Sequence, residues 1–156
     1  MKKFLLASSV AVLMIACNKK NDSACTPVPP SSEASAISGF CTSNGINATV
    51  DSNGIYYQII DPGSGARPTM NSTITVTYTA SLLDETVIDD HSSNPITQPL
   101  GSFIEGWIIA IPYIQQGGHI KMIIPSSLAY GCTGSQGIVP PNSPLYFDVV
   151  LTAVSN

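Results

Sequence analysis

Few side chains in this chain are equipped to make or break bonds, and their spacing excludes the usual ways of doing so. His91 and His119 are isolated from each other and from every cysteine, so no metal-ligand spacing is present and surface histidines are the simpler reading. Cys132 follows a glycine, but no histidine or basic residue flanks it in sequence to stabilise a thiolate. No metal or cofactor is therefore expected. What the chain supplies instead is rings, hydroxyls and a carboxylate pair: Tyr78, Phe103, Trp107, Tyr130 and Phe147, with Asp89 beside Asp90. Singly, such rings are core residues more often than binding residues. The chemistry open to them needs no nucleophile: a substrate is gripped and stripped of water rather than attacked.

The elements that must position these residues are mostly strands. An apolar run of Ile120, Met122, Ile123 and Ile124 is stopped at Pro125, whose ring carries no amide donor. A shaped loop follows, with Gly131, Gly134, Gly137, Pro140 and Pro141. Leu145, Phe147, Val149 and Leu151 then alternate with Tyr146, Asp148 and Val150, the period of a strand. The clearest alternation runs from Thr73 to Ala80, where Ile74, Val76, Tyr78 and Ala80 face one side and threonines the other. Leu82 and Leu83 lead into a tight turn at Asp84-Glu85, with Thr86 to Asp89 as the return strand and a polar loop from Asp90 to Asn94. Gly54 to Ile60 is a further strand, closed by the turn Asp61-Pro62-Gly63-Ser64-Gly65. Trp107, Ile111 and Ile114 share one side of a short helix that Pro112 limits and Gly117-Gly118 end. Ile108 and Ile109 adjoin the outward side of that helix, either as a partner patch or packed under the N-terminal segment. A second helix is expected over Glu33 to Asn44, with Ser31 or Ser32 as N-cap, Ala36, Ile37 and Phe40 as its apolar face, and Gly45 as its stop.

Leu-Ala-Tyr-Gly ending at Gly131, Gly-Ile-Val-Pro-Pro ending at Pro141 and Phe-Asp-Val ending at Val149 together resemble the C-terminal half of the FKBP-type peptidyl-prolyl isomerases. Val-Thr-Tyr-Thr around Tyr78 and Phe-Ile-Glu-Gly-Trp ending at Trp107 extend the resemblance from about Gly54 to the C-terminus. It implies an α+β fold, a strongly twisted antiparallel sheet wrapped around one short helix with an apolar pocket between them. Trp107 would be the pocket floor, and Tyr78, Ile88, Phe103, Ile104, Tyr130, Ile138, Val139 and Phe147 its walls. The resemblance assigns catalytic roles to Tyr78, Asp89 and Tyr130. The Tyr130 hydroxyl and the Ile104 backbone amide would hold substrate carbonyls, and Asp89 would accept a hydrogen bond from Tyr78. Three departures stand out: Ile88 where the family usually carries Phe, Ile96 in place of a second pocket aromatic, and Ser135 where His is frequent. The expected function is thus peptidyl-prolyl cis-trans isomerisation that assists folding of exported proteins. The alternative is a non-catalytic module whose altered pocket holds proline-containing or apolar segments.

Composition and the N-terminus supply an address. Only 10% of residues are charged, the formal charge is -4, and Arg67 and Lys121 are the only basic residues beyond position 20, which excludes nucleic-acid binding through phosphate contacts. Residues 1–16 read as an export signal, with Lys2 and Lys3 before an apolar run too short to span a bilayer. The run ends Leu13-Met14-Ile15-Ala16-Cys17, which resembles the lipobox of bacterial lipoproteins and implies lipidation at Cys17. Residues 17–32, rich in Asn, Lys, Pro and Ser, read as a tether, and 33–156 as the FKBP-like domain with its helical extension. A lipid-anchored protein of the bacterial envelope follows, on the outer membrane or the periplasmic face, with proline-containing segments of exported proteins as partners. Cys25, Cys41 and Cys132 remain; Cys25 pairing with Cys41 is one reading and three unpaired thiols the other.

Overall fold

The computed structural model describes residues 25–156, so the signal segment, Cys17 and the tether up to residue 24 lie outside the described residues. Strand β3, Thr73–Leu82, is central to the sheet, because its β-branched and apolar alternation buries Ile74, Val76, Tyr78 and Ala80 while the intervening threonines stay half-exposed. Along one edge it pairs with β7, Leu145–Ser155. Along the other it pairs with β4, Val87–Asp90, near its end and with β5, Ile96–Pro99, near its start. The seven-stranded sheet runs β1 (Thr49–Val50), β2 (Tyr56–Asp61), β6 (His119–Ile124), β7, β3, β4, with β5 sharing an edge of β3, and every pairing is antiparallel. The sequence does not predict β5, because four residues ending in Gln98 and Pro99 are too few to show a period. Among the described residues no helix is long and apolar enough to cross a membrane.

Helix α2, Glu105–Ala110, continues into a 3-10 turn at Ile111–Tyr113 where Pro112 removes the amide that further α-helix would need. Trp107, Ile111 and Ile114 project together into the main core, none more than 1% exposed, beside Leu145, Phe147 and Val149 of β7. Ile109 packs against the same core and Ile108 is half-buried, so the two do not form an open apolar patch. Gly106 sets how closely α2 approaches the sheet: a Cβ there would stand 2.3 Å from Ile124 Cγ2. On the opposite face of the sheet lies α1, Pro30–Ser43, whose Ile37, Phe40 and Cys41 close over Ile46 and Ile123 as a second, smaller core. Ile123 and Ile124 are adjacent in β6 and so face opposite sides, each under its own helix.

Several expectations are corrected. Helix α1 begins at Pro30 rather than Glu33, because a proline at the first helical position has φ preset and no amide to lose; Pro29 is the N-cap, and neither Ser31 nor Ser32 caps through its side chain. Ser32 instead returns its hydroxyl to the Pro29 carbonyl at 2.7 Å. Ile37 and Phe40 are on the inner face as expected, but Ala36 is exposed and Glu33 is buried beside them. The disulfide joins Cys25 to Cys132, not to Cys41. Cys25 precedes the start of α1 and Cys41 lies near its end, about 16 Å further on at the helical rise per residue. Cys41 is free and faces the small core, where burial pushes its thiol pKa up. The helix stop at Gly45 is as expected, in the left-handed region at φ 63°.

The turn between β1 and β2 is tied to the end of α2 through Asp51. Its Oδ2 accepts from the Tyr113 hydroxyl at 2.7 Å, and its Oδ1 accepts from the amides of Ile55 at 2.8 Å and Asn53 at 2.9 Å. Partial burial works against the charged form, but these bonds outweigh it and hold the Asp51 carboxyl below its ordinary value. A depressed carboxylate contributes stability that is present above the unfolded value of about 3.9 and lost as pH falls through the folded one. Asp51→Ala is therefore expected to lower stability at pH 7 by about 1–2 kcal/mol in denaturant unfolding, and the gap to wild type should narrow at pH 3. Gly106→Ala is expected to cost about 1–3 kcal/mol by the same measurement, through displacement of α2 from Ile124; an unchanged midpoint would show that the helix moves freely.

Candidate active site

Between α2 and strands β3, β4 and β7 lies a hollow of about 280 Å³. Tyr78 and Ala80 reach it from β3, Ile88 and Asp89 from β4, and Leu145 and Phe147 from β7. The register explains the grouping: Ala80 sits opposite Phe147 on one side and opposite Asp89 on the other. Ser102, Phe103, Ile104 and Trp107 enter from the start of α2 and the turn before it, and Tyr130 from the loop after β6. A volume just under the roughly 300 Å³ at which ordinary small-ligand sites begin suits one small ring rather than an extended ligand.

The floor is aromatic. Phe103 lies flat against the Trp107 indole, with ring centroids 4.6 Å apart and planes 1° from parallel. Tyr78 and Phe147 stand nearly perpendicular to it, at 5.1 Å and 5.4 Å. Trp107 is only 1% exposed, so the hollow meets the indole through gaps between its neighbours' rings, and Phe103 covers one of its faces. The half-buried Phe103 thus takes a larger part in the floor than the sequence predicts. Ile104 is the N-cap of α2, a position whose own amide is outside the helix's bonds.

One edge is polar. The Tyr78 hydroxyl donates to Asp89 Oδ2 at 2.5 Å. Burial raises the Tyr78 phenol pKa well above its ordinary value, and the bond to Asp89, the charge of Asp89 and the nearby Tyr130 push the same way. Tyr78 therefore keeps its proton through the neutral and mildly alkaline range and serves as a fixed donor. His91 is drawn to this edge instead of standing free on the surface: its Nε2 is 3.4 Å from Asp89 Oδ1 and its ring is 5.2 Å from that of Tyr78. His119 is likewise half-buried, with Nε2 2.5 Å from Asp148 Oδ1. Among the described residues no group of three or more His, Cys, Asp or Glu side chains is arranged to hold a metal ion.

Two expected walls lie elsewhere. Ile138 is 57% exposed and, with Val139, lines a separate groove within residues 133–141. The loop closes on itself there: the Ser135 and Val139 amides each donate to the other's carbonyl at 2.9 Å, which turns Ile138 outward while Val139 folds under into the main core. Ile96 packs against the core from β5 without lining the hollow. Tyr130 stands at the mouth, 44% exposed. Sequence reasoning misses Ala80, Leu145 and Ser102; the first two continue the inward alternation of Tyr78 and Phe147 and were available by that signal. Ser102 carries no signal, since only the short 3-10 turn at Leu100–Ser102 brings it there.

Residues 65–152 match the family model described as FKBP-type peptidyl-prolyl cis-trans isomerase. The FKBP-type peptidyl-prolyl cis-trans isomerase FkpA of Escherichia coli strain K12 is 38% identical over 117 residues, which are 74% of this chain and 42% of that protein. Its crystal structure matches with a TM-score of 0.72 at 33% identity, covering 81% of this chain and 61% of that one. The outer membrane protein MIP of Legionella longbeachae is 37% identical over 103 residues, 65% of this chain and 44% of that protein. A peptidyl-prolyl cis-trans isomerase from Pseudomonas syringae pv. tomato, solved by crystallography, matches with a TM-score of 0.69 at 30% identity over 84% of this chain and 99% of that one. The chain thus spans less than half the length of the two curated relatives. With the family match covering more than half of its residues and with the sheet, helix and hollow arranged as described, the chain belongs to the FKBP-type peptidyl-prolyl cis-trans isomerase family.

Proposed function

We propose that this protein isomerises X-Pro bonds in exported polypeptides at the bacterial envelope. The observation that carries the reading is the ring-lined hollow with a single polar edge, formed by Tyr78 and Asp89, and a tyrosine at its mouth. Rotation about a peptide C–N bond must break amide resonance, against a barrier of about 18–20 kcal/mol. The twisted amide has less charge separation than the planar one, so water favours the ground state and a dry aromatic site does not. No covalent step is required. The prolyl ring seats among Phe103, Phe147 and Trp107, and the Ile104 amide and Tyr130 hydroxyl hold flanking carbonyls so that only the target bond turns. Asp89, kept in place by Tyr78, shapes the polar side against which the rotating carbonyl moves.

The address is part of the same proposal. The signal-like residues 1–16 and the lipobox-like run to Cys17 support export and lipid anchoring; of the tether expected over 17–32, α1 takes the residues from Pro30 and the Cys25–Cys132 bond ties residue 25 to the domain, which leaves 17–24 as the tether. The Cys25–Cys132 bond supports an oxidising compartment, where disulfides persist. One relative carries the name outer membrane protein MIP, which is consistent with an envelope location.

A protease-coupled assay on peptides with varied residues before proline tests the reading. Wild type should accelerate isomerisation, and Tyr130→Phe and Asp89→Ala should each lower kcat/KM by about two- to ten-fold, the equivalent of one hydrogen bond of about 0.5–1.5 kcal/mol. If no peptide isomerises faster than background while proline peptides still bind, the protein is the non-catalytic module that Ile88 and the covered indole would also fit.

A further inference from the structure

The loop that carries Tyr130 is held from outside the matched family region. The Gly131 amide donates to the Ser126 carbonyl at 2.7 Å, the Gly134 amide to the Tyr130 carbonyl at 3.1 Å, and the Asn142 amide to the Gly131 carbonyl at 2.9 Å. The backbone next to Tyr130 is therefore placed by the Ser126 carbonyl. Ser126 is itself pinned through its amide, which donates to Glu33 of α1 at 2.9 Å, and the two residues are 0% and 7% exposed. Two residues beyond Tyr130, Cys132 is bonded to Cys25, and Thr133 Oγ1 lies 3.6 Å from Cys25 Sγ. Both attachments come from before residue 65, where the family match begins.

Burying a carboxylate is costly unless it is hydrogen-bonded, and here Glu33 Oε1 has no hydrogen-bond partner among the described residues. An apolar residue would pack α1 at no such cost, so the carboxylate is explained by what its other oxygen holds. We propose that Glu33 and the Cys25–Cys132 bond are positioning groups for Tyr130, clamping its loop from both sides so that the hydroxyl stays at the mouth of the hollow. The inference rests on the isomerase reading for its effect on rate, but the clamp itself has a separate readout.

The test is a double-mutant cycle in the full chain. Glu33→Ala, Glu33→Gln and the pair Cys25→Ser with Cys132→Ser are each made with Tyr130 and with Tyr130→Phe, and read by proline-peptide isomerisation and by amide hydrogen exchange. Glu33→Ala and the double serine variant should each lower kcat/KM by about three- to ten-fold when the Tyr130 hydroxyl is present, and by less than about two-fold when it is not. Glu33→Gln, whose amide oxygen can still accept from Ser126, should stay within about two-fold of wild type. Exchange at the Gly131 amide should speed up by about ten-fold or more in Glu33→Ala and in the double serine variant. Equal losses with and without the Tyr130 hydroxyl, a glutamine variant as impaired as alanine, or unchanged exchange would each overturn the proposal. If Glu33→Ala fails to fold, the double serine cycle decides by the same criteria. If wild type does not isomerise, the functional reading fails and exchange at Gly131 still decides on the clamp.

Discussion

The close seat of α2 on β6 is the constraint on which the rest of the structure depends. Gly106 lies so near Ile124 that a methyl group at that position would overlap it, and Trp107 is the next residue. The helix is therefore pressed against the sheet at the point where the indole enters the core. Phe103 from the turn just before the helix, Tyr78 from β3 and Phe147 from β7 pack around that indole at centroid distances of 4.6 to 5.4 Å. Removing such a ring from a closed core costs about 3–5 kcal/mol, so the floor of the hollow is also a main support of the domain. The same contacts that stabilise the fold thus define a hollow with room for a small ring.

A site of this kind works by what it excludes. Apart from the Tyr78 hydroxyl, Asp89 and the Tyr130 hydroxyl, the lining is largely apolar, and the phenol of Tyr78 is held protonated by burial and by the carboxylate it serves. That arrangement gives a fixed dipole rather than a proton carrier. Chemistry that turns a bond without breaking it needs no more, whereas hydrolysis or group transfer would need a nucleophile with a base beside it. The Phe103 ring covers one face of the indole, and Ile88 lines the hollow with an aliphatic side chain next to Asp89.

The N-terminal segment gives the sheet a second covered face. Because Ile123 and Ile124 point to opposite sides of β6, α1 and α2 each bury one of them, and the strand is clamped between two helices. The same segment then reaches the Tyr130 loop through Glu33 and Cys25. The glycines of that loop, Gly131, Gly134 and Gly137, lose much conformational freedom when it is ordered. Anchors drawn from a distant part of the chain supply restraint that the loop's own residues, apart from its internal turn bonds, do not.

The sequence by itself determined the strands whose period is long enough to read, such as Thr73 to Ala80 and Leu145 to Leu151, and a short helix at Trp107, although Ile111 falls in the 3-10 turn that follows it and Ile114 just past that turn. Alternation is a local property: it follows from the backbone's two-residue repeat and from one face being buried, so it survives in the linear order of residues. The family motifs extended that reading to the rings around Trp107. Only tertiary structure decided that Cys25 meets Cys132, that Glu33 is buried against Ser126, and that Ile138 turns away from the hollow. Each of these depends on where α1 docks or on how residues 131–142 close on themselves, and neither is set by propensity or period. They are fixed by contacts between residues as far as 107 positions apart, which only the folded chain brings together.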